Sequence, residues 1–206
     1  MRLAKIVTVA LMFFCGPCPC LGQGQDRFAG WCNGLELAAS PYLVEFLSGV
    51  VPDEKNSRCV TWAIHRLGNE RYAPAVSALV KLLDFHRPPT EDEKMGVFLR
   101  PSLVGEMFPA TESLEQIGEG AKAEVLRAIG SDSVSAKTRE NAVAVWMEIY
   151  KYERPKGVAL LKLEENKPST AAVRQKFKIA ARMAVKYCIG VPEQPACETA
   201  AKTGRF

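Results

Sequence analysis

From Ser40 onward, apolar residues recur at spacings of three and four, with no sustained alternation of period two. That spacing predicts helices throughout, because it places apolar side chains on one stripe of a 3.6-residue turn. Leu43, Phe46, Leu47 and Val50 form the first stripe. Ser40 is expected to cap it and Pro41 to occupy the first turn, while Gly49 and Pro52 close it. A second helix is expected from Asn56 or Ser57, carrying Val60, Ile64 and Leu67 and stopped by Gly68. A third opens at Pro74 with Val76, Leu79, Val80 and Leu83. The short link between the second and third implies an antiparallel pair with a shared seam.

Residues 85–100 break the rhythm. They hold Pro88, Pro89, Gly96 and a capping box from Thr90 to Glu93, which reads as a loop with a short helical turn. Leu103, Met107, Ala110, Leu114 and Ile117 resume the stripe, with Pro109 expected to kink that helix. Gly118 and Gly120 end it, and Val125, Leu126 and Ile129 begin its partner. A further pair follows, with Ala142, Val145, Trp146 and Ile149 on one helix and Val158 and Leu161 after Pro155 on the next. A last helix, capped by Ser169, is expected to run to about Cys188 with Val173, Phe177, Ala181 and Ala184 inward. Residues 191–206 carry two prolines and small polar residues and are expected to form a flexible C-terminal tail.

The N-terminus has a different character. Arg2 and Lys5 precede an uncharged apolar run from Ile6 to Phe14, and small residues follow up to Gly22. This is the pattern of a secretory signal peptide over residues 1–22, followed by a linker over 23–39 and a helical domain over 40–190. The run falls short of the roughly 20 apolar residues that span a bilayer, so no integral membrane span is expected. The residues before Cys15, Cys18 and Cys20 do not form a lipoprotein box. Export to the periplasm or outside the cell is therefore expected.

Removal of that leader changes the cysteine arithmetic. Seven cysteines become four, Cys32, Cys59, Cys188 and Cys197, an even number suited to an oxidising compartment. Four cysteines allow three pairings; order along the chain favours Cys32 with Cys59 and Cys188 with Cys197. Each such pair would flank one end of the helical region. Loss of Arg2 and Lys5 lowers the formal net charge from +4 to +2. So weak a charge gives no reason to expect nucleic acid as a partner.

A repeat runs through the middle of the chain. Ala63-Ile64-His65-Arg66-Leu67-Gly68, then Ala75-Val76-Ser77-Ala78-Leu79 and Asp84, form one unit. Ser113-Leu114-Glu115-Gln116-Ile117-Gly118, then Ala123-Glu124-Val125-Leu126 and Asp132, form the next, with Arg139 and Ala142 opening a third. This plan resembles the HEAT repeat, specifically its short bacterial variety, over residues 56–188. Tyr150-Lys151-Tyr152 stands where the third unit would carry its glycine. The resemblance implies an all-α fold, a right-handed α-α superhelix or short HEAT-like solenoid, in which neighbouring helix pairs bury one another's apolar faces. It also implies a general role in binding other proteins.

Signals for chemistry are thin. The two histidines, His65 and His86, lack a third ligand at metal-binding spacing. Cys59 lies six residues before His65, which sets the two side chains apart around a helix, and a disulfide would silence the thiol. Glu91, Asp92 and Glu93 sit where a helix dipole favours acid, and Glu164 and Glu165 sit at a helix end. Both groups suit solvated faces better than an acid/base pair. No phosphate-binding loop or nucleophile elbow is present in the sequence. No catalytic residue, cofactor or metal is expected.

The last helix is more informative. Arg174, Lys178, Arg182 and Lys186 follow at steps of four, with Lys176 nearby. They form a basic stripe that would attract an acidic protein partner or make weak contact with an anionic envelope surface; the plain alternative is a solvated outer face. Trp62, Trp146, Tyr150 and Tyr152 are either recognition residues or packing. The leading expectation is an exported protein-binding scaffold. An enzyme of unknown reaction on the same scaffold, or a small inhibitor or immunity-type protein, are the alternatives.

Overall fold

The computed structural model describes Cys32, residues 34–89 and residues 104–206. The expected signal peptide and the carboxylates Glu91, Asp92 and Glu93 lie outside the described residues. Among the described residues the regular structure is helical, without strands. The helices are α1 (Ser40–Gly49), α2 (Ser57–Asn69), α3 (Val76–Lys81), α4 (Val104–Met107), α5 (Pro109–Ile117), α6 (Lys122–Gly130), α7 (Ala136–Ile149), α8 (Arg154–Glu165), α9 (Ala171–Val185) and α10 (Gln194–Thr203). No helix is long and apolar enough to cross a membrane among these residues.

The buried stripes follow the 3.6-residue period. Leu43 and Leu47 on α1, Val60, Ile64 and Leu67 on α2, and Leu79 with Leu83 at the end of α3 join one apolar core. Leu114, Val125, Ile129, Val145, Val158, Leu161 and Phe177 continue that core through the later helices. Short 3-10 turns, Ala73–Ala75 and Gly118–Ala121, lead into α3 and α6 alike, so the first two helix pairs share their connection as well as their sequence pattern.

The order of packing is not uniform. α2 packs closely along α5, and α5 along α7, giving a row of first helices. α3 lies against both α5 and α6. The seam expected between α2 and α3 is supplied largely by their shared neighbours, because both approach α1 and α5. Farther on, α9 rather than α8 is the close neighbour of α6, and α8 is sandwiched with α9 and α10.

Several local expectations are corrected. Gly68 does not stop α2: it is buried inside the helix, and a Cβ there would come within 2.6 Å of Ser113 Cβ. Its role is close approach of α2 to α5, which Ser113 reinforces by donating its hydroxyl to the Ile64 carbonyl at 2.9 Å. Gly118, at the matching place in the next unit, does act as a stop, with φ 66° and ψ −120°. Pro109 does not kink a continuous helix. The chain breaks at Phe108 and Pro109 opens α5, where its missing N–H costs nothing. Leu103, assigned to that stripe, lies outside the described residues.

The cap of α9 is Thr170, whose hydroxyl accepts from the Val173 N–H at 3.2 Å, one residue beyond the expected Ser169. Ser40 lies within α1, and its hydroxyl donates to Glu70 instead of capping. The largest correction concerns residues 191–206. They form α10, with Cys197 and Ala200 fully buried, in place of a flexible tail. The linker expected over 23–39 likewise holds a 3-10 turn, Leu35–Leu37, and the buried Cys32.

Two disulfides join Cys32 to Cys59 and Cys188 to Cys197, the pairing that order along the chain favours. The first ties the segment before α1 to α2, and the second ties the end of α9 to α10. Arg66 adds to the first junction by donating to the Glu36 carbonyl at 2.6 Å and pairing with Glu70 at 2.8 Å.

Candidate functional site

α9 is amphipathic by composition. Phe177, Ala180, Ala181 and Ala184 face the core, so residues four apart on the other side face outward. Arg174, Lys178, Arg182 and Lys186 are all exposed. Their side chains make no ion pair or hydrogen bond among the described residues. Lys176, by contrast, turns to Asp132 after α6 and pins the two helices together.

α10 converts this stripe into one wall of a groove. The Cys188–Cys197 bond holds α10 against the chain end of α9, and Gly190 (φ 78°) lies in the link between them. Between α8, α9 and α10 lies a groove of about 530 Å³ lined by Lys162, Glu165, Lys178, Arg182, Glu198 and Lys202, with Ala181, Val185 and Ala201 among its apolar residues. A second depression of about 380 Å³ adjoins it and shares Glu165 and Lys178; Arg174 and Gln175 line it farther along. Two carboxylates interrupt the positive lining. Glu165 is engaged by Lys162 at 2.8 Å, and Glu198 accepts from the Gln194 amide at 3.1 Å. The Gln194 amide is neutral, so Glu198 keeps its charge; Lys178, Arg182 and Lys202 outweigh it, and the net charge of the lining is positive.

A second polar cluster lies on α5 and α7. Burial, then the carboxylates of Glu148 and Glu112, push the Glu115 carboxyl up to about 7, while Lys151 pulls the other way. Burial, together with Glu140, Glu148 and Glu115, also raises the Tyr187 phenol above its ordinary value. His65 approaches Glu112 at 3.7 Å, with both side chains well exposed.

The remaining candidates separate. His86 packs edge-on against Phe108, with ring centroids 5.3 Å apart, and His65 belongs to the Glu112 contact. Cys59 is bonded to Cys32. Glu164 pairs with Lys167, and Glu165 belongs to the groove. Among the described residues, no three His, Cys, Asp or Glu side chains gather as a metal site would require. Trp146 and Tyr150 are buried packing residues, the indole N–H donating to the Gly157 carbonyl at 2.9 Å. Trp62 is half-buried with Arg66 over its ring, whereas Tyr152 is 89% exposed.

The basic stripe was legible from its four-residue spacing, but the groove was not. Its far wall comes from a segment that reads as tail. The signals there are Pro195 in the first turn of α10, Cys197 with Ala200 and Ala201 on one face, and Gly204 in a left-handed turn (φ 72°) at its end. For the shifted Glu115 the sequence offered only Glu112 one turn earlier, because the larger causes, burial and Glu148, come from tertiary packing. Comparison with protein families, with curated proteins and with solved structures found no match for this chain.

Proposed function

We propose that this chain is an exported protein-binding scaffold, a short right-handed superhelix of HEAT-like repeats closed at both ends by disulfides. The observation that carries the reading is the groove between α8, α9 and α10, whose exposed cations are left unpaired while neighbouring lysines on the same helices are paired. A side chain that has no partner within its own fold is available to another molecule. The row α2, α5, α7 and the shared 3-10 entries to α3 and α6 support the repeat reading. The departure at α8 makes the last helices a terminal cap in this scheme. Terminal units of stacked-repeat proteins differ from internal ones because one face meets solvent.

Two disulfides and the absence of a membrane-crossing helix among the described residues are compatible with an exported soluble protein. The test has two arms. Expression with its own leader, followed by intact mass with and without reduction, should show loss of residues 1–22 and a gain of one hydrogen for each of four cysteines. Capture from envelope extract by the native chain, with the reduced and unfolded chain as control, should recover a saturable protein partner. No partner at any salt concentration would remove the scaffold reading.

A further inference from the structure

We infer that the groove between α8, α9 and α10 receives an extended acidic segment of a partner protein, an inference that rests on the protein-binding reading above. In this arrangement, carboxylates of the segment meet Arg174, Lys178 and Arg182. The intervening small or apolar side chains rest on Ala181, Val185 and Ala201.

Three observations point to this occupant. First, the two depressions adjoin, sharing Glu165 and Lys178 in their linings, and together they follow α9 from Arg174 to Val185. Eleven helical steps amount to about 17 Å, the length of roughly five extended residues. Second, the spacing of charge matches. Cations four apart on a helix rise about 6 Å. Alternate residues of an extended chain advance about 6.7 Å. Acidic side chains at every second position therefore stay in step with Arg174, Lys178 and Arg182, while the residues between them point to the other side. Volumes of about 530 and 380 Å³ suit an extended segment better than a seated helix, which is about 10 Å across with its side chains.

Third, the lining favours a peptide over an anionic lipid surface. The groove is concave, and Glu165 and Glu198 stand in its walls where phosphate headgroups would meet them. A flat negative surface gains nothing from a recess edged by carboxylates. An extended peptide can direct its acidic side chains to the α9 rim and offer backbone N–H groups to those carboxylates.

The test uses the full, disulfide-intact chain and a fluorescein-labelled octapeptide alternating Glu with Ala. The Lys–Ala counterpart and vesicles of mixed phosphatidylglycerol and phosphatidylcholine serve as comparisons. Saturable binding of the Glu–Ala peptide by anisotropy is expected. It should weaken about tenfold in the Lys178→Glu, Arg182→Glu double variant, because both rim charges then repel the ligand. It should also weaken as salt rises from about 50 to about 300 mM, as the Debye length shrinks. The Lys178→Ala, Arg182→Ala variant should show a smaller loss, and it decides the matter if charge reversal disturbs the circular dichroism. Equal affinity for the Lys–Ala peptide, undiminished binding by a folded variant, or stronger binding to vesicles would each overturn the inference. None of those results bears on capture of a partner by the native chain elsewhere on its surface.

Discussion

Gly68 and Gly118 occupy the same place in a repeated sequence and do different work. At Gly68 a methyl group would meet Ser113 Cβ and Oγ within 2.6 Å, and Ser113 is itself buried and bonded to α2. Gly68→Ala should therefore force α2 and α5 apart and cost about 1–3 kcal/mol by urea unfolding, the usual range for overpacking. Glu115 makes a different prediction. Its carboxyl binds its proton more tightly in the folded chain, at about 7 against an ordinary 4.5. Between those values the folded state holds more protons than the unfolded state, so stability falls as pH rises from about 4.5 to about 7. The penalty is fully present above that window and absent below it. Glu115→Gln should leave stability at pH 4 nearly unchanged and raise it at pH 8 by on the order of 1 kcal/mol after allowance for solvent screening. Thermal melts of both proteins across that range check the sign; an equal gain at both ends would refute it.

At the scale of elements, the long amphipathic helices were legible and their junctions were less so. α2 and α9 carry clear apolar stripes and α7 is buried on nearly every side from Asn141 to Met147, and each lies where the spacing predicts. The stripe continues across Pro109 and so predicts a kink, yet a proline satisfies the same stripe by opening a new helix after a break at Phe108. α10 was missed because ten residues with four alanines or cysteines offer little hydrophobic contrast, and its burial depends on α8. The Cys188–Cys197 bond holds that helix in place. Replacing both cysteines by alanine should cost about 2–3 kcal/mol in the loop-entropy account. It should also speed hydrogen exchange in residues 194–203 far more than in α2 or α5. Uniform loss of protection across the chain would argue that α10 is integral to the whole core.

At the scale of the molecule, the core is one cluster running from Leu43 to Ala200. Distant segments are sewn together by buried polar contacts. Ser113 reaches the Ile64 carbonyl, and the Asn141 amide donates to the Leu83 carbonyl at 2.5 Å. Because these bonds join helices of different pairs in a low-dielectric interior, breaking one unsatisfies a buried carbonyl. Asn141→Ala should accordingly cost about 1–3 kcal/mol. Far-ultraviolet circular dichroism and tryptophan fluorescence, to which Trp62 in α2 and Trp146 in α7 contribute, should then still report one coincident transition. Separate transitions would show that the two ends unfold independently.

The sequence alone determined what is local: helix type, the apolar stripes of the longer helices and the outward set of Arg174, Lys178, Arg182 and Lys186. Each of these follows from residues within a few turns of one another. Tertiary structure decided which helices are neighbours, that α9 lies on α6 while α8 and α10 flank it, and that a basic stripe becomes a groove. It also set the Glu115 proton affinity. Those properties depend on distances between residues far apart in the chain, and such distances arise only once apolar stripes have been matched by packing.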